Sequence, residues 1–416
     1  MSLEWNSYTI GESCELITGF PFKSKYYLDD GVYKVVRGDN VKEGFIKWDD
    51  KKRCWNELND KLKRVILKEG DIVIGMDGSK LGKNRATVSK KDLPALLAQR
   101  VACVRAKEGF DQNYIKYVIL SNYFKAYVDK VKTGTSIPHI SLGQISEFTF
   151  DAPNYEKQKI ISNILSNLDK KINVNQEINK NLDNQISSLF NHLFLRVLYA
   201  IENDNQNIPN NWEFKKLSEF VVKSNTGADA IKKAPIVDFN TGIKCIRTGD
   251  LSNNRPFEKW GYTNISKENF IKYKLCKGDI IVARTGSASL GLNKFIIEDL
   301  DAVYNNGLIR LKIDYSKISP LFLYGYLNSY IYKKYIEAIN IETSTRPNMK
   351  INYLVNFKML CPPHDIQQEF DKISRNMFLL KNKLEKEIII LNNLRDTLLP
   401  KLMSGEIDAS KINCDL

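Results

Sequence analysis

A chain of 416 residues exceeds what one hydrophobic core usually organises, so two or more domains are expected, each long enough to bury a core of its own. Its 62 Lys and Arg against 49 Asp and Glu leave a formal charge of +13, which favours a polyanionic partner over an acidic small substrate. The seven cysteines are odd in number and never spaced as CxxC, which indicates neither a disulfide framework nor a zinc site and fits a reducing cytoplasm.

The opening MSLEWNSYTIGESCEL carries acids rather than a basic segment before an apolar core, and no apolar run approaches membrane-spanning length. A soluble, cytoplasmic protein is expected. Short apolar runs such as residues 72–74, bounded by Gly, Asp and Asn, read as strands, and Gly70-Asp71 reads as the tight turn that starts one. YIKYVILSNYFKAYV from Tyr114 reads as helix. A long amphipathic helix follows, with Ile161, Leu165, Leu168, Ile172, Ile178, Leu182, Ile186, Leu189 and Leu193 mostly three or four apart and Asn175 interrupting the seam. The polar, Pro-containing YAIENDNQNIPNNW from Tyr199 reads as a linker.

Beyond the linker the chain begins again. GDIVIGMDGSKLG near residue 70 returns as GDIIVARTGSASLG, and a shift of about 207 to 211 residues brings the rest into line in one consistent order. Trp5 meets Trp212, and YKVVRGDNV from Tyr33 meets KCIRTGDLS from Lys244. TGTSIPHISLGQISEF from Thr133 meets ETSTRPNMKINYLVNF from Glu342. APNYEKQK from Ala152 meets PPHDIQQE from Pro362, placing Gln158 on Gln368. The second copy has its own helical stretch, LFLYGYLNSYIYKKYI from Leu321, and its own apolar stripe: Phe370, Ile373, Met377, Leu380, Leu384, Ile388, Leu391, Leu394 and Leu398, until Pro400 stops the helix.

The organisation read from this is a globular domain over 1–152, a helix over 153–198, a linker over 199–211, a second globular domain over 212–361, a helix over 362–403 and a tail over 404–416. The fold class is α+β: two tandem α/β domains separated by two long helices that form an antiparallel coiled coil, with a pseudo-two-fold internal repeat. At 1.5 Å per residue the helices are roughly 45 to 60 Å long. The alternative is that each helix packs on its own globular domain.

Catalytic motifs fail on inspection. GSKLGKN lacks the first Gly of a phosphate loop, where Asp77 stands, and has Asn84 where Ser or Thr is needed. Cys361-Pro362-Pro363-His364 lacks the acid or amide and the closing aromatic ring of an amino-methyltransferase tetrapeptide, and reads as a rigid lead-in to a helix. The three histidines, His139, His192 and His364, form no metal-binding pattern, and no GxSxG is present. Neither catalytic nor metal-ligating residues are assigned.

Where the copies agree, the residues form turns and cores. Where they differ, they are of the types that grip phosphates and read base edges. In the first copy these are Ser79, Lys80, Lys83, Asn84 and Arg85 after the strand, then Lys132, Thr135, Ser136 and His139. In the second they are Arg284, Ser287, Ser289 and Asn293, then Ser344, Arg346, Asn348 and Lys350. The shared residues are expected to build one domain twice, and the changed residues to let each domain read a different short sequence of double-stranded DNA. Paired modules imply a split site, its halves about one helical turn apart.

The Trp-led repeats, the lead-ins from Pro153 to Gln158 and Pro362 to Gln368, and above all LRDTLLPKLMSGEI from Leu394 resemble the specificity subunit of a type I restriction-modification system over essentially the whole chain. In the first lead-in Ala152 and Tyr155 stand where the second has Pro362 and Asp365. The resemblance implies a non-catalytic subunit with two target recognition domains and two helical spacers, itself holding no cofactor. Two modification subunits, which bind S-adenosylmethionine and methylate adenine, would assemble on the spacers, and restriction subunits that translocate and cut DNA would join them. Residues outside the seam, such as Phe190, Phe194, Ile389 and Ile390, are candidates for that contact. Two other readings stand beside this one: a coiled-coil assembly protein without specific DNA binding, and a self-sufficient DNA-modifying enzyme.

Overall fold

The computed structural model describes residues 5–49, 51–134, 136–203, 207–227, 234–286, 288–342 and 348–412. It divides into two compact units, Met1–Val174 with Ile390–Leu416, and Asn175–Ile389.

The strands of the first unit are β1 (Asn6–Thr9), β2 (Cys14–Thr18), β3 (Tyr33–Val36), β4 (Cys54–Trp55), β5 (Ile72–Gly75), β6 (Arg85–Thr87), β7 (Ala95–Leu97), β8 (Val101–Ala106) and β9 (Thr149–Ala152). They form sheets of order β2-β8-β5-β6, β4-β3-β7 and β1-β9. β5 is buried on both faces, and its period of two divides it between two cores. Ile72 and Ile74 join Tyr114, Ile115, Val118 and Phe124 of the helices Gln112–Leu120 and Asn122–Val131. Val73 faces Val36, Leu96 and Leu97 of the small sheet.

The second unit repeats this plan. Its strands are β10 (Glu213–Lys216), β11 (Val221–Thr226), β12 (Ile236–Val237), β13 (Lys244–Ile246), β14 (Gly261–Thr263), β15 (Ile280–Ala283), β16 (Asn293–Phe295), β17 (Ala302–Tyr304), β18 (Leu308–Ile313) and β19 (Lys358–Cys361). The sheet orders are β11-β18-β15-β16, β12-β14-β13-β17 and β10-β19. In β15, Ile280 and Val282 face the helical core, while Ile281 and Ala283 face the small-sheet core. In each unit one pairing within the small sheet, β3 with β7 and β13 with β17, is parallel.

The expected turns start both central strands. Gly70 and Gly278 take φ of +88° and +87°, which glycine adopts without steric penalty. The buried carboxylates of Asp71 and Asp279 accept from the backbone N–H of Lys68 at 2.7 Å and of Cys276 at 3.0 Å. Arg105 grips Asp71 with Nε and Nη2 at 2.8 and 2.7 Å.

Two frames of the sequence alignment shift by one residue. Gln158 accepts from the N–H of Asp111 and donates to the carbonyl of Pro153. Gln367, not Gln368, does the same with Ser319 and Pro362. Asp111 and Ser319 each cap the helix that follows them, so this glutamine ties a helix start to the lead-in in both copies. Likewise Arg37 matches Arg247, not Thr248: Asn40 and Asp250, both buried, accept from their N–H groups at 3.1 and 3.0 Å.

The central helix spans Tyr155–Phe190 and passes through a π-helical turn, Asn191–Leu195, into Arg196–Asn203, so helix occupies the first part of the expected linker. The C-terminal helix spans His364–Met403. Pro400 lies inside it rather than ending it. A proline costs one N–H there, but the helix ends within the same turn and the Pro400 carbonyl still accepts from Ser404 at 3.0 Å.

In each unit the two helices run antiparallel. In the first, Asp169 pairs with Arg395 while Ile161 and Leu165 share a core with Leu402. In the second, Asp183 pairs with Lys381 while Phe190 packs on Phe370, ring centroids 5.7 Å apart. The buried line of the central helix is Ile161, Leu165, Leu168, Ile172, Asn175, Asn179, Leu182 and Ile186, an unbroken alternation of four and three. The seam therefore takes Asn175 and Asn179, and Ile178 and Leu193 lie outside it, exposed. On the partner helix Ile373, Leu380 and Leu394 are exposed too, because Ser374, Lys381 and Arg395 hold the inner positions. Phe190 and Phe194, which the sequence offered for partner contact, are 1% exposed in the core of the second unit, whereas Ile390 is open.

Candidate nucleic-acid interface

In the first domain the two variable loops meet. The loop after β5 begins at Met76, whose carbonyl accepts from Ile140 at 2.9 Å, and the N–H of Gly78 donates to Pro138 at 3.0 Å. Asp77 and His139 stand opposite each other in an isolated antiparallel bridge. Thr133 and His139 exchange both backbone hydrogen bonds, at 2.9 and 2.8 Å. The second domain repeats the junction. The carbonyl of Arg284 accepts from Met349 at 2.8 Å, and Thr285 stands opposite Asn348. Thus Met76, Asp77, His139 and Ile140 correspond to Arg284, Thr285, Asn348 and Met349. The scaffold positions are kept: Ile140 and Met349 are both buried and apolar, while the other three pairs differ in chemistry.

A third loop joins this junction in each domain, and the sequence comparison did not single it out. Between β7 and β8 the carbonyl of Arg100 accepts from Met76, and between β17 and β18 that of Gly307 accepts from Arg284, each at 2.9 Å. These loops are short and sit between two apolar strands, so composition did not mark them; the one signal was the contrast of Gln99-Arg100 with Asn306-Gly307. In the second domain Thr248, Thr285 and Asn305 crowd the α-carbon of Gly307 closely enough that a side chain there would meet their polar atoms.

The candidate residues divide by exposure. Ser79, Lys80, Lys83, Lys132, Ser136, His139, Asn348 and Lys350 are exposed, the His139 Nε2 sharing a hydrogen bond with the Thr133 hydroxyl at 3.0 Å. Asn84, Arg284 and Ser289 are half-buried. Lys132 pairs with Asp129 at 2.8 Å, and the guanidinium of Arg284 donates to the carbonyls of Met349 and Asn306 at 3.2 and 3.4 Å. Thr135, Ser287, Ser344 and Arg346 lie outside the described residues.

Two candidates are structural instead. Arg85 is 3% exposed at the start of β6, and its Nη1 donates to the carbonyls of Ile119 and Ser121, where the helix Gln112–Leu120 ends. Burial pushes its guanidinium down to about 10. Asn293 holds the matching place on β16 and donates Nδ2 to the carbonyl of Leu327 at 2.8 Å, at the end of Pro320–Leu327. Arg85 thus serves the carbonyl of Ile119 and Asn293 that of Leu327, each at a helix end, an engagement that argues for a structural role.

Burial pushes the thiols of Cys14 and Cys245 up to about 11 and 12, so neither presents a thiolate near neutrality. Among the described residues no group of three or more His, Cys, Asp or Glu stands together as a metal site, and no helix is long and apolar enough to cross a membrane.

The type I restriction modification DNA specificity domain family matches this chain twice, over residues 2–184 and 209–392. Among individual proteins, the chain is 24% identical over 314 residues to the type I restriction enzyme MjaIX specificity subunit of Methanocaldococcus jannaschii, covering 74% of this chain and 71% of that protein. It is also 24% identical to the EcoBI specificity subunit of Escherichia coli, covering 82% and 74%. In fold it resembles the crystal structure of the type I restriction-modification S subunit from M. genitalium, with a TM-score of 0.62 at 17% identity over 96% of both chains.

Proposed function

The chain belongs to the type I restriction modification DNA specificity family, and from that premise we propose that its two domains each read one half of a bipartite double-stranded DNA target. The observation that carries this reading is the junction built twice, Asp77 against His139 and Thr285 against Asn348, on matching backbone with unlike side chains. Exposed lysines at its edge, Lys80, Lys83 and Lys350, supply sequence-independent phosphate attraction, while the shorter polar side chains discriminate bases.

As a specificity subunit the chain acts with DNA and with other subunits of its system. In this reading it binds no cofactor; two modification subunits carry S-adenosylmethionine and methylate adenine, restriction subunits translocate and cut, and assembly takes place in the cytoplasm. The apolar side chains turned out of the helical seam, Ile366, Ile373 and Leu380 in the second unit and Ile390 and Leu394 in the first, are the surface offered to the modification subunits.

The test is co-expression with a cognate modification subunit and mapping of methylated adenines across a plasmid by single-molecule sequencing. A two-part motif that vanishes when this chain is omitted supports the reading. A stable complex that methylates no defined motif overturns it in favour of an assembly protein, and methyl transfer by the chain alone would revive a self-sufficient enzyme.

A further inference from the structure

We propose that Arg100 is a base-reading residue of the first domain, directed at a guanine, and that it stands in for Arg284 of the second domain by exchange between two hydrogen-bonded loop positions. Met76 donates to the carbonyl of Arg100 at 2.9 Å, and Arg284 donates to that of Gly307 at the same distance. The adjoining strand register agrees: Gly75 faces Val101, and Ala283 faces Leu308. Position for position, then, Met76 matches Arg284 and Arg100 matches Gly307. Each domain carries a single guanidinium on this bonded pair, and the two domains carry it on opposite members.

Backbone and side chain of Arg100 both point to a selected role. Its φ is +72°, in the left-handed region that side chains other than Gly, Asn and Asp seldom enter. A glycine would avoid that steric cost; Gly307 at the matching position does not take a left-handed φ, so the strain belongs to the first domain alone. The side chain is 65% exposed, so packing does not account for an arginine there. Its nearest acid is Asp77, Oδ2 lying 3.9 Å from Nε, and Asp77 is itself the residue opposite His139 at the junction. The carboxylate lies on the Nε side at ion-pair rather than hydrogen-bond distance, so the exposed guanidinium keeps its Nη fork free to match O6 and N7 of guanine in the major groove. The same carboxylate offsets the charge, which weakens any attraction to a phosphate. Arg100 therefore suits a base better than the backbone.

The inference rests on the proposed DNA-reading function, and the experiment separates the two. The assembled complex with its modification subunit is prepared with the unaltered chain, R100G and R100K, and the methylated motif of each is mapped. Failure of the unaltered chain to give a bipartite motif would sink the function itself. If it gives one, R100G should lose discrimination at one guanine of one half-site by about ten- to a hundredfold, with the other half unchanged. Glycine favours the local φ, so R100G is expected to keep its fold, checked by its melting temperature. R100K keeps the charge but not the fork and should relax the same position. An unchanged motif in R100G, equal weakening on all sequences, or full discrimination in R100K would each overturn the assignment.

Discussion

Arg395 of the C-terminal helix donates Nη1 to Asp169 of the central helix at 3.1 Å, while Lys116 and Tyr117 of Gln112–Leu120 reach the same carboxylate at 3.0 and 2.6 Å. One carboxylate thus joins three elements of the first unit. Burial disfavours its charge, but Lys116, Tyr117 and Arg395 outweigh it and hold the Asp169 carboxyl below its ordinary 3.8. A depressed folded-state pKa adds stability above the unfolded value, which is lost as pH falls through the folded one. Asp169→Asn should cost about 2 kcal/mol near pH 7, and the gap to the unaltered protein should narrow as pH drops below 3.8. Urea unfolding across pH measures this, and a gap constant with pH would mean that the charge contributes nothing.

Arg85 and Asn293 predict stability losses without a change of specificity. Removing the Arg85 guanidinium leaves the carbonyls of Ile119 and Ser121 without it, so Arg85→Ala should destabilise by about 2 to 4 kcal/mol. Asn293→Ala, which removes the bond to Leu327 and a longer one from Asn328, should cost about 1 kcal/mol. At a temperature where both variants are folded, the methylated motif should match that of the unaltered complex. A shifted motif for Arg85→Ala would return it to the reading surface.

Lys80 and Lys83 are exposed beside the junction and should act through charge alone. Lys83→Ala should weaken duplex binding to a similar degree on target and non-target sequences and lower the salt slope by about 1. Anisotropy titrations of the assembled complex over a range of salt provide the readout. A loss confined to the target sequence would make Lys83 a base contact.

The duplication, the central strands and the two long helices were legible because they rest on patterns that recur: the short apolar run Ile72–Ile74, the spacing of Ile161 to Ile186, the glycines at 70 and 278. What misled was residue type taken as a guide to position. Ile178 looked like a seam residue because it is apolar, yet the heptad runs through Asn175 and Asn179. Arg85 looked like a DNA contact because it is charged, yet long-range contacts with a helix end bury it. Consecutive glutamines hid the frame, since Gln367 and Gln368 align equally well until the bond to Ser319 decides between them. Arg100 was invisible for a related reason. Its neighbours Met76 and Asp77 are remote in sequence, and only strand pairing brings them together.

Gly405 sits at φ +75°, and a β-carbon built there would lie 2.7 Å from Nε1 of Trp5. Leu402 and Ala409 share the first unit's core with the same tryptophan, so the closing Leu-Met-Ser-Gly-Glu-Ile is held by packing at this glycine. Gly405→Ala adds both the left-handed backbone cost and the clash, and should destabilise by about 2 kcal/mol. Chemical denaturation of the unaltered and substituted proteins tests it. Equal midpoints would show that the tail contributes nothing to the stability of the domain.

Asn175 predicts the opposite sign. It is 1% exposed on the seam of the central helix, and its Nδ2 has no hydrogen-bond partner among the described residues. A buried amide donor without a partner costs free energy that an apolar side chain of similar size would not. Asn175→Leu continues the apolar line from Ile172 to Leu182 and should stabilise the protein by about 1 to 2 kcal/mol, raising its melting temperature. Polar seam residues hold helices in one register at the expense of stability. If that is why asparagine stands here, the leucine variant should melt higher yet assemble with modification subunits less uniformly, as native mass spectrometry would resolve. A lower melting temperature would mean that the amide is hydrogen-bonded after all, for instance through a buried water.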